Sequence, residues 1–410
     1  MGKQNLSRAE FINITAGLAF LALSGESVLA REMTAGDIVS SAQKRQEYTI
    51  RLLQKLCTDL GPRPTGSKAY AKGAKIIMQE LKRSLTKVNY DTYEFENWVQ
   101  VSSSDLIVGG QHFEAIPQKR GEGTPAEGVR GILAKNGRGF SIVDALSRQT
   151  LAIFSINQYG KAISGSAYGD LSKPVPVFGL GKQDIPLLDR YAKNKLPAWI
   201  RSDVRAVPNA KGINVIAQIP GKRKDEILII AHADTIFNTP GANDNTASVI
   251  VMLMLAHAAS ARENNYTLTF VASDSEEFSF EGAIHYAENR IADNSMKNIR
   301  YVLNFDSLTY GPNLWISSKD QDIKDLIKTI HADLKIDTTP IFDDSDGYVM
   351  DSEPFRPSGA KALHANSRGY DEKTLPVYHR PDDNANIVPL DCVETSFLVF
   401  DEFIRRIDKQ

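Results

Sequence analysis

Residues 226–259 read EILIIAHADTIFNTPGANDNTASVIVMLMLAHAA. The opening run, EILIIAH, is apolar and of strand length, and it ends on an ionisable side chain, His232. The closing run, ASVIVMLMLAHAA, is too long for a strand and predicts a buried helix. Between them lies a polar loop carrying Gly241 and Asp244. Buried strand, polar loop and buried helix, in that order, form the repeating unit of a parallel sheet covered by helices.

The same alternation continues on both sides of this stretch. INVIAQI, YTLTFVAS, RYVLNFD and AKALHA read as strands; EGAIHYAENR, DIKDLIKTIHADL and CVETSFLVFDEFIRRI read as helices. Upstream, residues 43–85 form one helical region broken at GPRPTGS (Gly61 to Ser67), where two prolines and two glycines stop a helix. A strand is expected over Lys87 to Trp98. From about Val101 to Asn209 the character changes to short β-like runs, DLIVGG, LAIFSI and VPVFGL, with one helical stretch, DIPLLDRYAKN. The expected fold is α/β, a three-layer sandwich with a mixed, mainly parallel central sheet, plus an inserted β-rich domain. Its segments are a signal peptide at 1–30, the first part of the main domain at 31–100, the insertion at 101–209 and the rest of the main domain at 210–410.

With 410 residues, 42% hydrophobic and 24% charged, the chain has the composition of an ordinary globular protein with a large core. A formal charge of −2 gives no positive field to collect nucleic acid or anionic membrane, so neither is expected as a partner. Lys3 and Arg8, the apolar stretch Ile12 to Leu23 and the small-residue run ending at Ala30 have the three-part layout of a secretory leader. LSRAEFI also looks like a twin-arginine export signal with Ala9 in place of one arginine. The expectation is export to the periplasm or the exterior, with no stable membrane span after leader removal, because the apolar part is too short to cross a bilayer. Cys57 and Cys392, the two cysteines of the chain, leave two readings open: one bridge between the first and last helices, or two separate buried thiols.

In open α/β sheets ligands bind beyond the carboxyl ends of the strands. Three expected strands end there in ionisable groups: His232 with Asp234 beyond it, Glu276 and Glu277 after Asp274, and Asp306. Asp244 opens the long apolar helix, and VYHRPDDN adds His379 and Asp383. Carboxylates gathered on one edge repel one another and raise each other's pKa, whereas divalent cations hold them ionised. A mixture of His and Asp/Glu without thiolate suits zinc, and two metals bridged by one carboxylate are a known hydrolytic arrangement.

The strings HADTIFNTPGANDNTAS, SDSEEFSFEGA, NFDS and YHRPDDN resemble, in that order, the motifs of the co-catalytic zinc peptidases that include bacterial leucyl aminopeptidases and glutamate carboxypeptidases. GPRPTGS and the segment around Asp346 extend the likeness to about two thirds of the chain. The resemblance implies two zinc ions per chain and a peptide substrate. Asp244 would bridge the metals, His232 and Asp306 would complete one position, and Glu277 and His379 the other. It makes Glu276 the general base acting on a metal-bridging hydroxide and Asp234 the partner that orients His232, with Asp383 doing the same for His379. The chain departs from the family at Ala247 and Ser248, where Ser-Gly is usual, and at Ala283, where Ser is common. The insertion is similar to a protease-associated domain, which implies a wall limiting access to the cleft without contributing chemistry.

The resulting expectation is an exported zinc exopeptidase, first of all an aminopeptidase. The alternatives are a single-zinc aminoacyl transferase of the glutaminyl cyclase type, against which His232 and Asp306 argue, and a receptor-like binding module without catalysis. HExxH, G-x-S-x-G and Gly-rich phosphate-loop motifs are missing. His331 sits in HAD like His232, but within an amphipathic helix, and reads as solvated surface. His257, His285 and His112 have no supporting neighbours; His364 is a candidate cleft-lining residue, and Tyr378, Tyr370 and Arg368 read first as packing groups. Oligomeric state is not legible.

Overall fold

The computed structural model describes residues 33–119, 121–165, 175–369 and 376–410. The leader and Tyr370 lie outside them. Two short helices, α1 (Ala35–Val39) and α2 (Ala42–Leu53), are capped by Thr34 and Ser41, whose side chains accept from the amides of Asp37 and Lys44. A wider π turn continues α2 to Asp59, and α3 (Lys68–Leu81) starts at the Ser67 cap. Strand β1 (Lys87–Gln100) runs two residues beyond the expected Trp98, because it pairs antiparallel with a long later strand up to Gln100↔Val204.

The chain then builds a second sheet from β2 (Asp105–Val108), β3 (Gln111–Phe113), β4 (Ile116–Pro117), β5 (Val129–Asn136), β6 (Gly139–Val143), β7 (Thr150–Asn157), β8 (Val177–Gly181) and, after helix α4 (Ile185–Lys193), β9 (Pro197–Arg201). Their order is β3-β2-β9-β5-β6-β7-β8-β4, antiparallel except for β7 with β8. This sheet has its own apolar core, with Phe140, Phe154, Phe178 and Ile200 buried beside Leu188 of α4.

The main sheet resumes with β10 (Val204–Ile219) and β11 (Glu226–His232), followed by α5 (Ala247–Ser260), β12 (Thr267–Ser273), α6 (Glu276–Ser279), α7 (Glu281–Ala292), β13 (Ile299–Phe305), β14 (Asn313–Ser317), α8 (Gln321–Asp333), β15 (Ile341–Asp343), β16 (Lys361–Arg368) and α9 (Leu390–Ile407). The order is β1-β10-β12-β11-β13-β16-β14-β15, with β12, β11, β13 and β16 mutually parallel in the middle. Strand β11 is buried on both faces, and its period of two divides its side chains between two cores. Ile227, Ile229 and Ala231 pack with α5, α8 and α9, whereas Leu228 and Ile230 pack with Ala283 and Tyr286 of α7 and with Phe355. These are the three layers of the expected sandwich. Every residue of α5 except Ser260 is buried, which is why it shows no polar stripe in sequence.

Two readings are corrected here. His331 is buried, not solvated: its Nδ1 hydrogen-bonds the Ile327 carbonyl one turn back, on the side of α8 that carries Ile323, Ile327 and Ile330 into the core. Of the two cysteine readings, separate buried thiols is the observed one. Among the described residues no helix is long and apolar enough to cross a membrane.

Candidate active site

Because β11, β12 and β13 are parallel, their carboxyl ends lie on one edge, which places His232, the turn after Ser273 and Asp306 side by side. The loop from Gly241 to Thr246 arrives from above. Gly241 has φ +64°, and a Cβ there would fall 2.4 Å from the Asp244 carbonyl oxygen, so the close turn that presents Asp244 needs glycine. Ser275 and Phe280, both in the left-handed region, bracket the one-turn helix α6 that carries Glu276 and Glu277.

All five residues expected to hold metal converge. His232 Nε2 lies 3.2 Å from Asp244 Oδ1 and 3.7 Å from Asp306 Oδ1. His379 Nε2 lies 3.0 Å from Glu277 Oε2 and 3.7 Å from Asp244 Oδ2. The two groups, His232–Asp244–Asp306 and Asp244–Glu277–His379, therefore share one carboxylate through its opposite oxygens, and in each group the donor atoms lie within 4.8 Å of one another. Glu276 belongs to neither; its Oε2 is 3.9 Å from His232 Nε2 and its side chain faces the cleft.

Which imidazole nitrogen faces the carboxylates follows from what the other one touches. His379 Nδ1 is 2.6 Å from the Ser164 carbonyl, which only accepts, so Nδ1 carries a hydrogen and Nε2 is the nitrogen turned toward two carboxylates. His232 Nδ1 faces the Asp234 carbonyl at 3.2 Å and its Oδ1 at 3.5 Å, with the same consequence. Both Nε2 atoms are buried and have no hydrogen-bond partner among the described residues. Carboxylates gathered in a buried place are costly without positive charge between them, and the two unpartnered imidazole nitrogens beside them complete a donor set that fits a pair of divalent metals such as zinc.

The electrostatics agree. Burial, and then the neighbouring Glu277 carboxylate, push Asp244 up to about 7. Burial raises Glu276, with His232 opposing and Asp306 adding to the rise. Burial disfavours the charged His232 ring, yet the carboxylates of Glu276, Asp234, Asp244 and Asp306 outweigh it and drive its pKa up. Burial also works against ionised Glu277, but His379 and Lys119 hold it well below the usual carboxylate range. The cluster attracts protons wherever positive charge is lacking.

Asp234 does more than orient His232. Its two oxygens accept the backbone amides of Glu276 and Glu277, each at 3.2 Å, tying both glutamates to the imidazole. The role read for Asp383 is corrected. It holds the amides of Asn243 at 2.8 Å and Asp244 at 3.0 Å, and the group on His379 Nδ1 is the Ser164 carbonyl. Ser248, one of the departures from the family pattern, accepts the amide of Leu308 and so braces the turn after Asp306.

Sequence reasoning missed three contributors. Arg63, within GPRPTGS, donates to the carbonyls of Leu56, Gly61 and Pro240 and to Thr246 Oγ1, clamping both ends of the Asp244 loop. Lys119 and Ser164 come from the second sheet, so the inserted domain reaches the site itself, contrary to the expectation of a passive wall. Burial disfavours the Lys119 ammonium, but Glu277 and Glu276 outweigh it and raise its pKa. GPRPTGS was a visible signal for Arg63; nothing local marks the other two. A cleft of about 210 Å³ opens over the cluster, and His364, Arg368 and Tyr378 join Glu276, Asp306 and His379 in its lining. A larger hollow of about 460 Å³ beside Trp98 and Phe278 holds no paired donor set of this kind among the described residues.

Residues 214–403 match the model of peptidase family M28. This stretch of the chain is similar to that family. Aminopeptidase YwaD of Bacillus subtilis (strain 168) is 22% identical, over 90% of this chain and 87% of its own length. Among solved structures, BSAP, a zinc aminopeptidase from Bacillus subtilis, superposes with a TM-score of 0.71 at 18% identity, covering 88% of this chain and 95% of that one. A peptidase M28 precursor from Shewanella amazonensis SB2B gives 0.74 at 16% identity, covering 90% and 94%. The observed architecture, a mixed α/β sandwich with a separate β domain inserted, is the fold shared with these structures.

Proposed function

We propose that this chain is an exported two-zinc aminopeptidase. The observation that carries the reading is the pair of buried imidazole nitrogens without a hydrogen-bond partner, His232 Nε2 and His379 Nε2, facing opposite oxygens of Asp244. His232, Asp244 and Asp306 would hold one zinc, and Asp244, Glu277 and His379 the other. When bound, the metals supply Lewis acidity and a water acidic enough to attack an amide near neutral pH. Glu276 would take a proton from the attacking water on its carboxylate and deliver it to the leaving amine nitrogen. Its amide, held by Asp234, keeps the carboxylate beside the cluster, and the raised pKa set by burial suits a group that must both accept and return a proton. Carboxylates of Glu276 and Asp306 on the cleft wall suit a substrate with a free, cationic amino end. YwaD and BSAP, both named aminopeptidases, are similar to the chain over most of its length. Export rests on the leader-like residues 1–30 and places the enzyme in the periplasm or outside the cell.

The test incubates metal-loaded protein with amino-acyl amides, N-blocked peptides and N-terminal glutaminyl peptides, and measures bound zinc. Hydrolysis of free-amine substrates alone, with two zinc per chain, is expected. Cyclisation of glutaminyl peptides with one zinc would replace this reading by the cyclase type, and absence of any turnover would replace it by a binding module. Fractionation of the producing cell, with the mature amino terminus determined, checks export; full-length protein retained in the cytoplasm would refute it.

A further inference from the structure

The inserted domain touches the two ligand groups unequally. Among the described residues, Asp306 is ion-paired with His232, and Lys119 of the inserted domain forms no ion pair with either, reaching the shared Asp244 only at longer range. The other group has a direct contact. Lys119 Nζ lies 3.1 Å from Glu277 Oε2, the same oxygen that faces His379 Nε2 at 3.0 Å. Lys119 follows β4, and its backbone amide is held by the Gly165 carbonyl at 2.7 Å, next to the Ser164 carbonyl that binds His379.

Lys119 also reaches Glu277 from behind. It lines a small cavity of about 60 Å³ shared with Thr65, Trp98, Ser164, Asp234 and Phe278, and it is not among the residues lining the open cleft above the cluster. A substrate lying in the cleft meets Glu277 from the other side. The ammonium is therefore placed to act on the ligand and whatever the ligand holds.

We propose that Lys119 is an internal cation that competes with the metal at the Asp244–Glu277–His379 position, so that the inserted domain makes this position the weaker one and the last to fill. The inference rests on the two-zinc reading. Glu277 Oε2 must serve both the ammonium and a divalent ion, and the two positive charges then stand a few ångströms apart where little water screens them. The other position has no unshared ligand in contact with the ammonium, so the repulsion there is weaker. A lysine that merely oriented Glu277 would have the opposite effect, since its loss would weaken metal binding.

The experiment strips the full chain with a chelator and titrates Zn²⁺ against a chromophoric competitor and by calorimetry. The parent should bind two equivalents with dissociation constants more than tenfold apart. Lys119→Met should tighten the weaker class at least tenfold, and Lys119→Arg should preserve the separation. His379→Ala should lose the weaker class and His232→Ala the tighter one, which assigns them. A Lys119→Met chain whose weaker class is unchanged or weaker still overturns the proposal, and Lys119→Gln, read the same way, serves if the methionine variant fails to fold. A parent that binds fewer than two zinc ions overturns the two-zinc reading instead, and so do ligand variants that do not each lose one equivalent.

Discussion

The carboxylate of Asp383 accepts the backbone amide of Asp244 at 3.0 Å, across 139 residues of chain. Asp244 is the shared residue of both ligand groups, and its own loop is short, kinked and bounded by Gly241, so its position is set by what grips its amides rather than by helix or sheet bonds. The other Asp383 oxygen takes the Asn243 amide and the Asn243 side chain. One buried carboxylate thus fixes the loop that joins the two metal positions, four residues after the imidazole of His379.

Asp383→Ala removes three hydrogen bonds made by a buried charged acceptor and leaves two amides unsatisfied. The expected cost is about 3 kcal/mol of stability, with a 10- to 100-fold loss of zinc affinity. Urea unfolding and a competitor titration measure the two effects. Parent-like zinc affinity in the folded variant would show that the loop holds its shape without this clamp.

Glu276→Gln keeps the size of the side chain and removes its ability to take a proton. Because Glu276 lies outside both ligand groups, zinc content should stay at the parental level while kcat falls by about 10²- to 10⁴-fold. A variant as active as the parent, or one that has lost metal, contradicts the role assigned to this residue.

Arg63 is 2% exposed, and its guanidinium satisfies four carbonyls and a hydroxyl that have been drawn out of water. Arg63→Met fills much of the same volume and orphans them. Destabilisation of about 3 kcal/mol is expected, with faster proteolysis around residues 240–246. Unchanged stability would mean that water replaces the side chain at this junction.

His257 offers a pH dependence remote from the metal cluster. Burial lowers it from 6.5 to about 4, the carboxylate of Glu80 opposing only in part, and its ring is hydrogen-bonded to Ser84 and packed against Tyr48. The folded protein keeps this ring neutral where the unfolded chain protonates it. Its contribution is complete above pH 6.5 and is lost as pH falls through the window between 6.5 and about 4. Between pH 7.5 and 5 the linkage amounts to about 2 kcal/mol. His257→Gln should unfold at a denaturant midpoint that depends less on pH over this range; equal slopes for variant and parent would refute the assignment.

Much of the site was readable before any coordinates. His232, Glu276, Glu277 and Asp306 each follow an apolar run at the end of a parallel strand, so the sheet's direction alone assembles them. His331 was misread because the amphipathic pattern of α8 does not tell which polar residue turns inward, and there the imidazole satisfies itself on the Ile327 carbonyl. The resemblance paired Asp383 with His379, but the Ser164 carbonyl occupies that imidazole nitrogen and Asp383 holds the amides of Asn243 and Asp244 instead.

Local order therefore settled the strands and the buried helix α5, because burial and period are properties of neighbouring residues. The approach of Lys119 to Glu277 across 158 residues, and of Ser164 to His379 across 215, came only from the docking of one sheet on another. Such contacts depend on how two independently formed cores meet, and nothing in the spacing of either segment encodes that meeting.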